Sequence, residues 1–328
     1  MNQPTGQRIR RGMNFLSMLG AKLRDLQGTA TLAHELIQNA EDAVGKIKEP
    51  TGQAAAMVFR LDEKALIVEN AGVFSDCGDP HRQPCEWQTP CDFHGFTDVG
   101  SGRKRLEEKQ KGAFGFGFTA VYQITDHPEV ISSKRHWILE DEKPEDQRIF
   151  ECGGCERCRA PGLPGTKFVL PWAFDRNSPV REALKVAPVP PEGPRKFLQE
   201  LLADLPHTLL FLDHIKTIQV YWKDQLQLSV SRIVDAARPH AVTIVQNDTT
   251  TRWMILSAEF EKQAVRLRAT HPPGEKKPIS TVKIAIPDQP NSVGLFFAFL
   301  PTQQATGFPF HINAEFFPNN DRKRLLLE

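Results

Sequence analysis

What this sequence lacks narrows its reading first. No apolar run approaches the ~20 residues that a membrane-spanning helix needs, and the N-terminus is polar and basic, without the apolar core of a secretory leader. A cytoplasmic location is therefore the default expectation. An excess of one charge is missing too. The 41 Lys and Arg residues stand against 40 Asp and Glu, a formal net charge of +1, so no global field draws the chain to nucleic acid or a membrane surface. The basic runs Arg8-Ile9-Arg10-Arg11, Arg103-Lys104-Arg105 and Arg322-Lys323-Arg324 are short and read as solvated or ligand-facing patches. Repeats and low-complexity tracts are absent. What is there is ordinary for a globular protein: 25% charged and 40% hydrophobic residues in 328, enough for two domains with separate cores.

Six cysteines fall into two groups, Cys77, Cys85 and Cys91, then Cys152, Cys155 and Cys158. Disulfides are rare in the expected compartment, which leaves metal binding to be weighed against reduced thiols in polar loops. The run Cys152-x2-Cys155-x2-Cys158, taken with Cys91-x2-His94 or with Cys77 and Cys85, has the spacing of a tetrahedral zinc site. The expectation is one structural Zn²⁺ on the second group plus one ligand from the first, with Cys85, Cys91 and His94 among the candidates.

Read in order, residues 7–26 carry helical apolar spacing and Gly28 stops them. Thr29 or Thr31 then caps a second helix that ends before Lys48-Glu-Pro-Thr-Gly52. On that helix Glu35, Asn39 and Asp42 share one stripe, while Ala33, Leu36, Ile37, Ala40, Val44 and Ile47 cover the opposite arc. Strands follow over 55–60 and 64–69, the second running into Glu69-Asn70-Ala71-Gly72. From 76 to 111 periodicity is lost, and a loop so long inside a compact domain is usually functional. It leads to Gly112-Ala-Phe-Gly115-Phe-Gly117 at the entry to an apolar helix. Strands over 128–133 and 165–170 flank a polar, cysteine-rich excursion. Five prolines between 175 and 195 read as a linker with little structure of its own. Beyond it come a helix over 195–205 and strands over 216–222, 226–233, 241–245, 253–260, 281–286 and 293–300.

Several of these segments have chemical potential. Glycines at a helix start let backbone N–H groups and the positive helix end receive phosphate oxygens. The spacing G-x-x-G-x-G is neither the Walker pattern nor the dinucleotide fingerprint, and a tight turn would use the same glycines. The interleaved Phe114, Phe116 and Phe118 read as core. A carboxylate or amide at a strand end, Glu69 or Asn70, can accept the exocyclic amine of adenine, or can simply cap the strand. Asn39 offers a neutral oxygen to Mg²⁺, Glu35 can orient or deprotonate a water for attack on a γ-phosphate, and Asp42 can hold the nucleoside side through water. A solvated helix face is the plainer alternative for this stripe.

Taken together, Glu35-Leu-Ile-Gln-Asn39-Ala-Glu-Asp42-Ala43, Val68-Glu69-Asn70, Gly112-Ala-Phe-Gly115-Phe-Gly117 and Gly165-Thr166 resemble the successive nucleotide-binding motifs of the GHKL ATPases. That superfamily joins gyrase, the ninety-kilodalton heat-shock chaperones, histidine kinases and MutL. Within it, the runs from Phe114 to Pro128 and from Thr306 to Asn313 look most like the heat-shock chaperones and the related repeats of sacsin.

The resemblance implies an α+β fold: a two-layer α/β sandwich of the Bergerat type over 1–174, with an ATP lid at about 93–111. A linker at 175–195 and a transducer domain like ribosomal protein S5 over 196–328 would follow. It implies Glu35 as general base, Asn39 as Mg²⁺ ligand, and an ATP site completed by Asp42, Ala43, Glu69, Asn70, Gly112, Phe114, Gly115, Phe116, Gly117, Phe118 and Thr166. Asn319-x-x-Arg322 fits a loop that brings Arg322 to the γ-phosphate. Where the family carries Asp and then two glycines, this sequence has Glu69-Asn70-Ala71-Gly72, so either Glu69 or Asn70 reads the adenine amine.

The expected activity is Mg²⁺-dependent ATP hydrolysis that drives lid closure, with ATP-dependent homodimerisation through residues 1–27 and an unidentified client or effector. A chaperone-like or bacterial antiviral-defence role is implied at the same level. An ATP sensor without turnover and a MutL- or gyrase-like DNA-associated ATPase are the alternatives. A histidine kinase is disfavoured, because no phosphoacceptor helix precedes the site. The chain stops just after Arg322, so a longer protein is expected, whose further part would carry the effector or client-binding role.

Overall fold

A computed structural model describes residues 14–24, 26, 28–48, 52–82, 84–97, 117–159, 164–268, 281–289, 293–316, 319, 324 and 325. The first helix, α1 (Phe15–Leu23), begins where the extended Asn14 caps it, its side-chain oxygen accepting the Ser17 N–H at 3.0 Å. Of the helix expected over 7–26, residues 7–13 lie outside the described residues, and the described part begins at Phe15. Helix α2 (Thr29–Val44) follows Gly28, which sits at the cap position with φ 107° and no side-chain cap bond. Thr29 and Thr31 lie inside the helix and do not cap it. Leu32, Ala33, Leu36, Ile37, Ala40 and Val44 are all buried in one core cluster. Each large apolar side chain so buried contributes roughly 1.5–3 kcal/mol, which fixes the face that α2 turns inward.

The opposite layer is a sheet. β1 (Ala56–Leu61) and β2 (Ala65–Asn70) form a hairpin whose turn is held by Asp62 Oδ1, which accepts the N–H groups of Lys64 and Ala65 at 2.7 and 2.9 Å. β6 (Thr166–Pro171) pairs antiparallel with β2, and β3 (Glu129–Ser132) pairs with β6. Period-2 alternation puts Met57, Phe59, Leu66, Val68, Phe168 and Leu170 on one face, in the same core as α1 and α2. β4 (Arg135–Leu139) and β5 (Ile149–Glu151) extend this edge, the short helix α4 (Glu156–Arg159) follows β5, and Phe93 of the short helix α3 (Asp92–Thr97) packs its ring 4.7 Å from that of Trp137. Between β3 and β6 only a polar excursion was expected, yet it supplies two strands. After the glycine cluster the chain makes a 3₁₀ run, Gly117–Gln123, in place of the expected α-helix.

The proline-rich stretch 175–195 is more structured than its composition suggested. It carries α5 (Pro179–Leu184), capped by Ser178, and the start of α6 (Gly193–Asp204). Arg181, buried in this stretch, pairs with Asp126 and donates to the backbone oxygens of Thr125 and Gln123. Prolines fill first-turn positions of both helices, where no N–H is needed.

β7 (Thr217–Trp222) then pairs parallel with β1, so one sheet runs on into the second half. It continues through β8 (Gln225–Asp235), β9 (Arg238–Gln246), β10 (Thr249–Glu259) and β11 (Thr281–Pro287), with α7 (Glu261–Arg268) between the last two. The strand expected over 293–300 is broken at Phe299, φ 65°, into β12 (Leu295–Ala298) and β13 (Leu300–Ala305). Asn313 of β14 (His311–Asn313) holds that turn, its Oδ1 accepting the Phe299 N–H at 2.8 Å. The described residues form a mixed α/β fold with a 14-stranded sheet and a few helices. No helix among the described residues is long and apolar enough to cross a membrane.

Candidate functional site

The end of β2 and β6 that faces α2 brings together several of the expected nucleotide residues. Asn70 pairs across the ladder with Thr166. Its Oδ1 accepts the Gly72 N–H at 2.9 Å, while Thr166 Oγ1 donates to the Gly72 carbonyl at 2.7 Å and meets Ser132 Oγ at the same distance. Gly72 thus has both its backbone groups fixed by side chains. A Cβ there would overlap the Ala43 methyl, and one at Gly165, φ 143°, would overlap the Asn70 carbonyl. Close backbone approach is what demands glycine at both positions. Ala43 is small for the same reason, and through it the C-terminal half of α2 lies against the β2 turn.

Along α2, Glu35 is buried, and Asn39 and Asp42 are half-buried. Glu69 lies elsewhere. It is 1% exposed and held between Arg60 Nε at 3.2 Å and Lys167 Nζ at 3.1 Å. Strand alternation sends it to the face opposite Asn70, a separation legible in the sequence. Phe118 is half-buried with its ring 4.9 Å from Phe96 and 5.1 Å from Phe168; Gly117 opens the 3₁₀ run. Gly112, Phe114, Gly115, Phe116 and Arg322 lie outside the described residues.

One residue of α2 escaped the sequence reading. Glu41 is 0% exposed, and its carboxylate accepts the N–H groups of Asp213, His214 and Ile215 at 2.7 to 3.2 Å. It fastens α2 to the start of β7. The only sequence signal was a carboxylate beside the Asn39–Asp42 stripe, indistinguishable there from a solvated residue.

The cysteines form two clusters, and this corrects the expected single site. Cys77, Cys85, Cys91 and His94 gather in one group; His136, Cys152, Cys155 and Cys158 gather in the other, with all four ligand atoms of each within 4.8 Å of one another. The fourth member of the second group is His136 of β4, and no residue of the first group takes that place. Pairing of β4 with β5 brings it there, the Cys152 N–H donating to the His136 carbonyl at 2.8 Å. In the first group the loop is pinned by Asp92, which accepts from Ser75 N–H and Oγ and pairs with Lys46 just after α2 at 3.3 Å.

The thiols are electrostatically uneven. Burial pushes Cys91 up, but the His94 ring and the backbone amides of His94 and Cys77 outweigh it and hold the thiol at about 7. The Cys158 amide brings Cys155 down to about 6. Burial raises Cys77 and Cys158. Thiolate is the metal-ligating form, and either cluster could hold a zinc ion.

Comparison with known proteins agrees with part of this picture. The family model described as the Sacsin domain matches residues 14–148, from α1 through β4 and short of Cys152. Human sacsin (Homo sapiens) is 25% identical over 256 residues, covering 64% of this chain. The chain spans 5% of the length of that relative. The two matches support a sacsin-like relationship.

Proposed function

We propose that this chain is an ATP-binding, Mg²⁺-dependent ATPase module of the chaperone-related, sacsin-like kind, built on a Bergerat-type sandwich. The observation that carries the reading is the corner where Ala43, Asn70, Gly72 and Thr166 meet. Ala43, Asn70 and Thr166, which the resemblance assigned to nucleotide binding and which stand on three elements, are joined there through Gly72 by hydrogen bonds and contact. Asn70 is the better reader of adenine. Its Oδ1 retains a lone pair beyond the one given to Gly72, whereas Glu69 would have to leave Arg60 and Lys167.

Asn39 and Asp42, half-buried on α2, supply oxygens for the metal and for water-mediated contact with the nucleoside. Mg²⁺, when bound with ATP, neutralises phosphate charge. Glu35, one turn before Asn39, orients and deprotonates the attacking water. Its burial excludes bulk water from that proton transfer. Dimerisation through residues 1–27 and action on a protein client in the cytoplasm belong to the same proposal.

Calorimetric titration with ATP, with and without Mg²⁺, tests the site. Binding that strengthens with Mg²⁺ and loses that dependence in Asn39→Ala is expected. A wild-type protein that binds no ATP at any Mg²⁺ concentration overturns the proposal.

A further inference from the structure

We infer that the protein holds two structural Zn²⁺ ions, one in each Cys₃His cluster. Three thiols with one imidazole form a donor set that suits zinc and excludes the hard, oxygen-seeking cations. The spacing fits a single ion in each. With Zn–S near 2.3 Å and Zn–N near 2.0–2.1 Å, tetrahedral ligands stand about 3.5–3.8 Å apart. In the first cluster His94 Nδ1 lies 3.1 Å from Cys91 Sγ and 3.5 Å from Cys77 Sγ. In the second, His136 Nδ1 lies 3.0 and 3.6 Å from the sulfurs of Cys158 and Cys155, and Cys158 Sγ is 3.4 and 3.9 Å from those of Cys155 and Cys152. These separations are far beyond an S–S bond, and all six cysteines are free.

The two histidines carry the inference past mere proximity. Each is 3% exposed, and each has its other ring nitrogen tied to an oxygen. His94 Nε2 meets the Arg82 carbonyl at 2.6 Å. A carbonyl only accepts, so the ring proton sits on Nε2 and the Nδ1 lone pair points at the thiols. His136 Nε2 meets Glu129 Oε2 at 2.9 Å, and Glu129, 4% exposed, is also paired with Arg157. An oxygen behind the imidazole, fixing its tautomer for a metal in front, is the outer-shell arrangement of bound zinc. Here it occurs twice in different local settings. One is a Cys-x2-His segment that runs into α3, the other a strand histidine facing Cys-x2-Cys at the start of α4.

Four protein ligands close each site, which makes the ions structural. On binding, thiol protons pass to solvent and no redox change occurs. The first ion fastens the 77–94 loop beside α2; the second pins α4 to β4. Arg135 links the two sites, donating to Asp76 at 2.7 Å and to Glu151 at 2.8 Å, residues that directly precede Cys77 and Cys152.

Elemental analysis and native mass spectrometry of the purified chain test this. Two zinc ions per chain are expected, falling to one in Cys91→Ser and to one in Cys155→Ser. One ion in the wild type, lost in either variant, would restore a single shared site and overturn the inference. So would iron with acid-labile sulfide, or zinc far below one equivalent. If the variants do not fold, Co²⁺ titration of metal-stripped wild type answers the same question. Sulfur-to-cobalt charge-transfer bands growing to two equivalents support two sites, and saturation at one contradicts them. Glu129→Gln is expected to weaken zinc binding at the second site alone by about 10–100-fold, read by competition with a chromophoric chelator; equal effects on both ions, or none, count against the outer-shell assignment.

Discussion

The thiol clusters and the proposed nucleotide end are both made where loops leave the same sheet, yet they converge at different levels. In each cluster the ligand atoms themselves come together, four within 4.8 Å. At the nucleotide end it is the frame that converges: Gly72 is fixed by Asn70 and Thr166 and pressed against Ala43, while Glu35, Asn39 and Asp42 stand along one helix. A metal the size of zinc is held by short bonds to a few atoms. A nucleotide, the ligand proposed for the corner, is larger and would be held by walls, a task for small residues and hydroxyls where the clusters have thiols. Damage to the frame should therefore spread, whereas damage to a ligand should stay local.

The largest effect is expected from the frame's foundation. Glu41→Ala leaves the Asp213, His214 and Ile215 N–H groups without their carboxylate, at about 3 kcal/mol or more. Urea unfolding should show the loss as a lower midpoint with an unchanged slope. Next comes Gly72→Val, which drives a branched side chain into Ala43. It should cost about 1–3 kcal/mol of stability and weaken ATP binding, with metal content unchanged; Ala43→Gly in the same chain should recover part of both. If the zinc ions are lost together with ATP affinity, the two regions are not separable as described. Thr166→Val, which removes the hydroxyl between Gly72 and Ser132, should cost about 1 kcal/mol and leave both ligand clusters intact.

A pH-dependent effect sharpens the contrast among buried histidines. His311 is as buried as His94 and His136, but its Nδ1 accepts the Leu295 N–H at 2.8 Å, and its ring stacks on Trp253 with no thiol nearby. Burial and the neighbouring His207 lower it from 6.5 to about 4. Between those values the unfolded chain binds more protons than the folded one, so stability should fall as pH drops from about 6.5 toward 4. Thermal unfolding across that window should show the slope, and His311→Gln should flatten it.

How much of this was legible in the sequence follows the same division. The apolar arc of α2, the β1–β2 hairpin and the glycine before Thr166 were readable, because period and turn chemistry are local. The grouping of the cysteines was readable too, but His136 was not recognised as their partner. Only the β4–β5 pairing carries it to Cys152, and no spacing rule encodes that. Glu41 was hidden because its three amide partners lie far along the chain, at the entry to β7. The helices within 175–195 were not legible, since prolines at first-turn positions start helices as readily as they break them. Glu69 and Asn70 were adjacent letters with one role between them, and the pleat sends them to opposite faces.

On the proposed function, α2 supplies the base for ATP hydrolysis at this corner. Phosphate release from Mg²⁺·ATP, measured alongside ATP affinity in the wild type and in Glu35→Ala, tests it most directly. Release by the wild type that vanishes in the variant while affinity is kept is the expected result. Equal release from both proteins would contradict it.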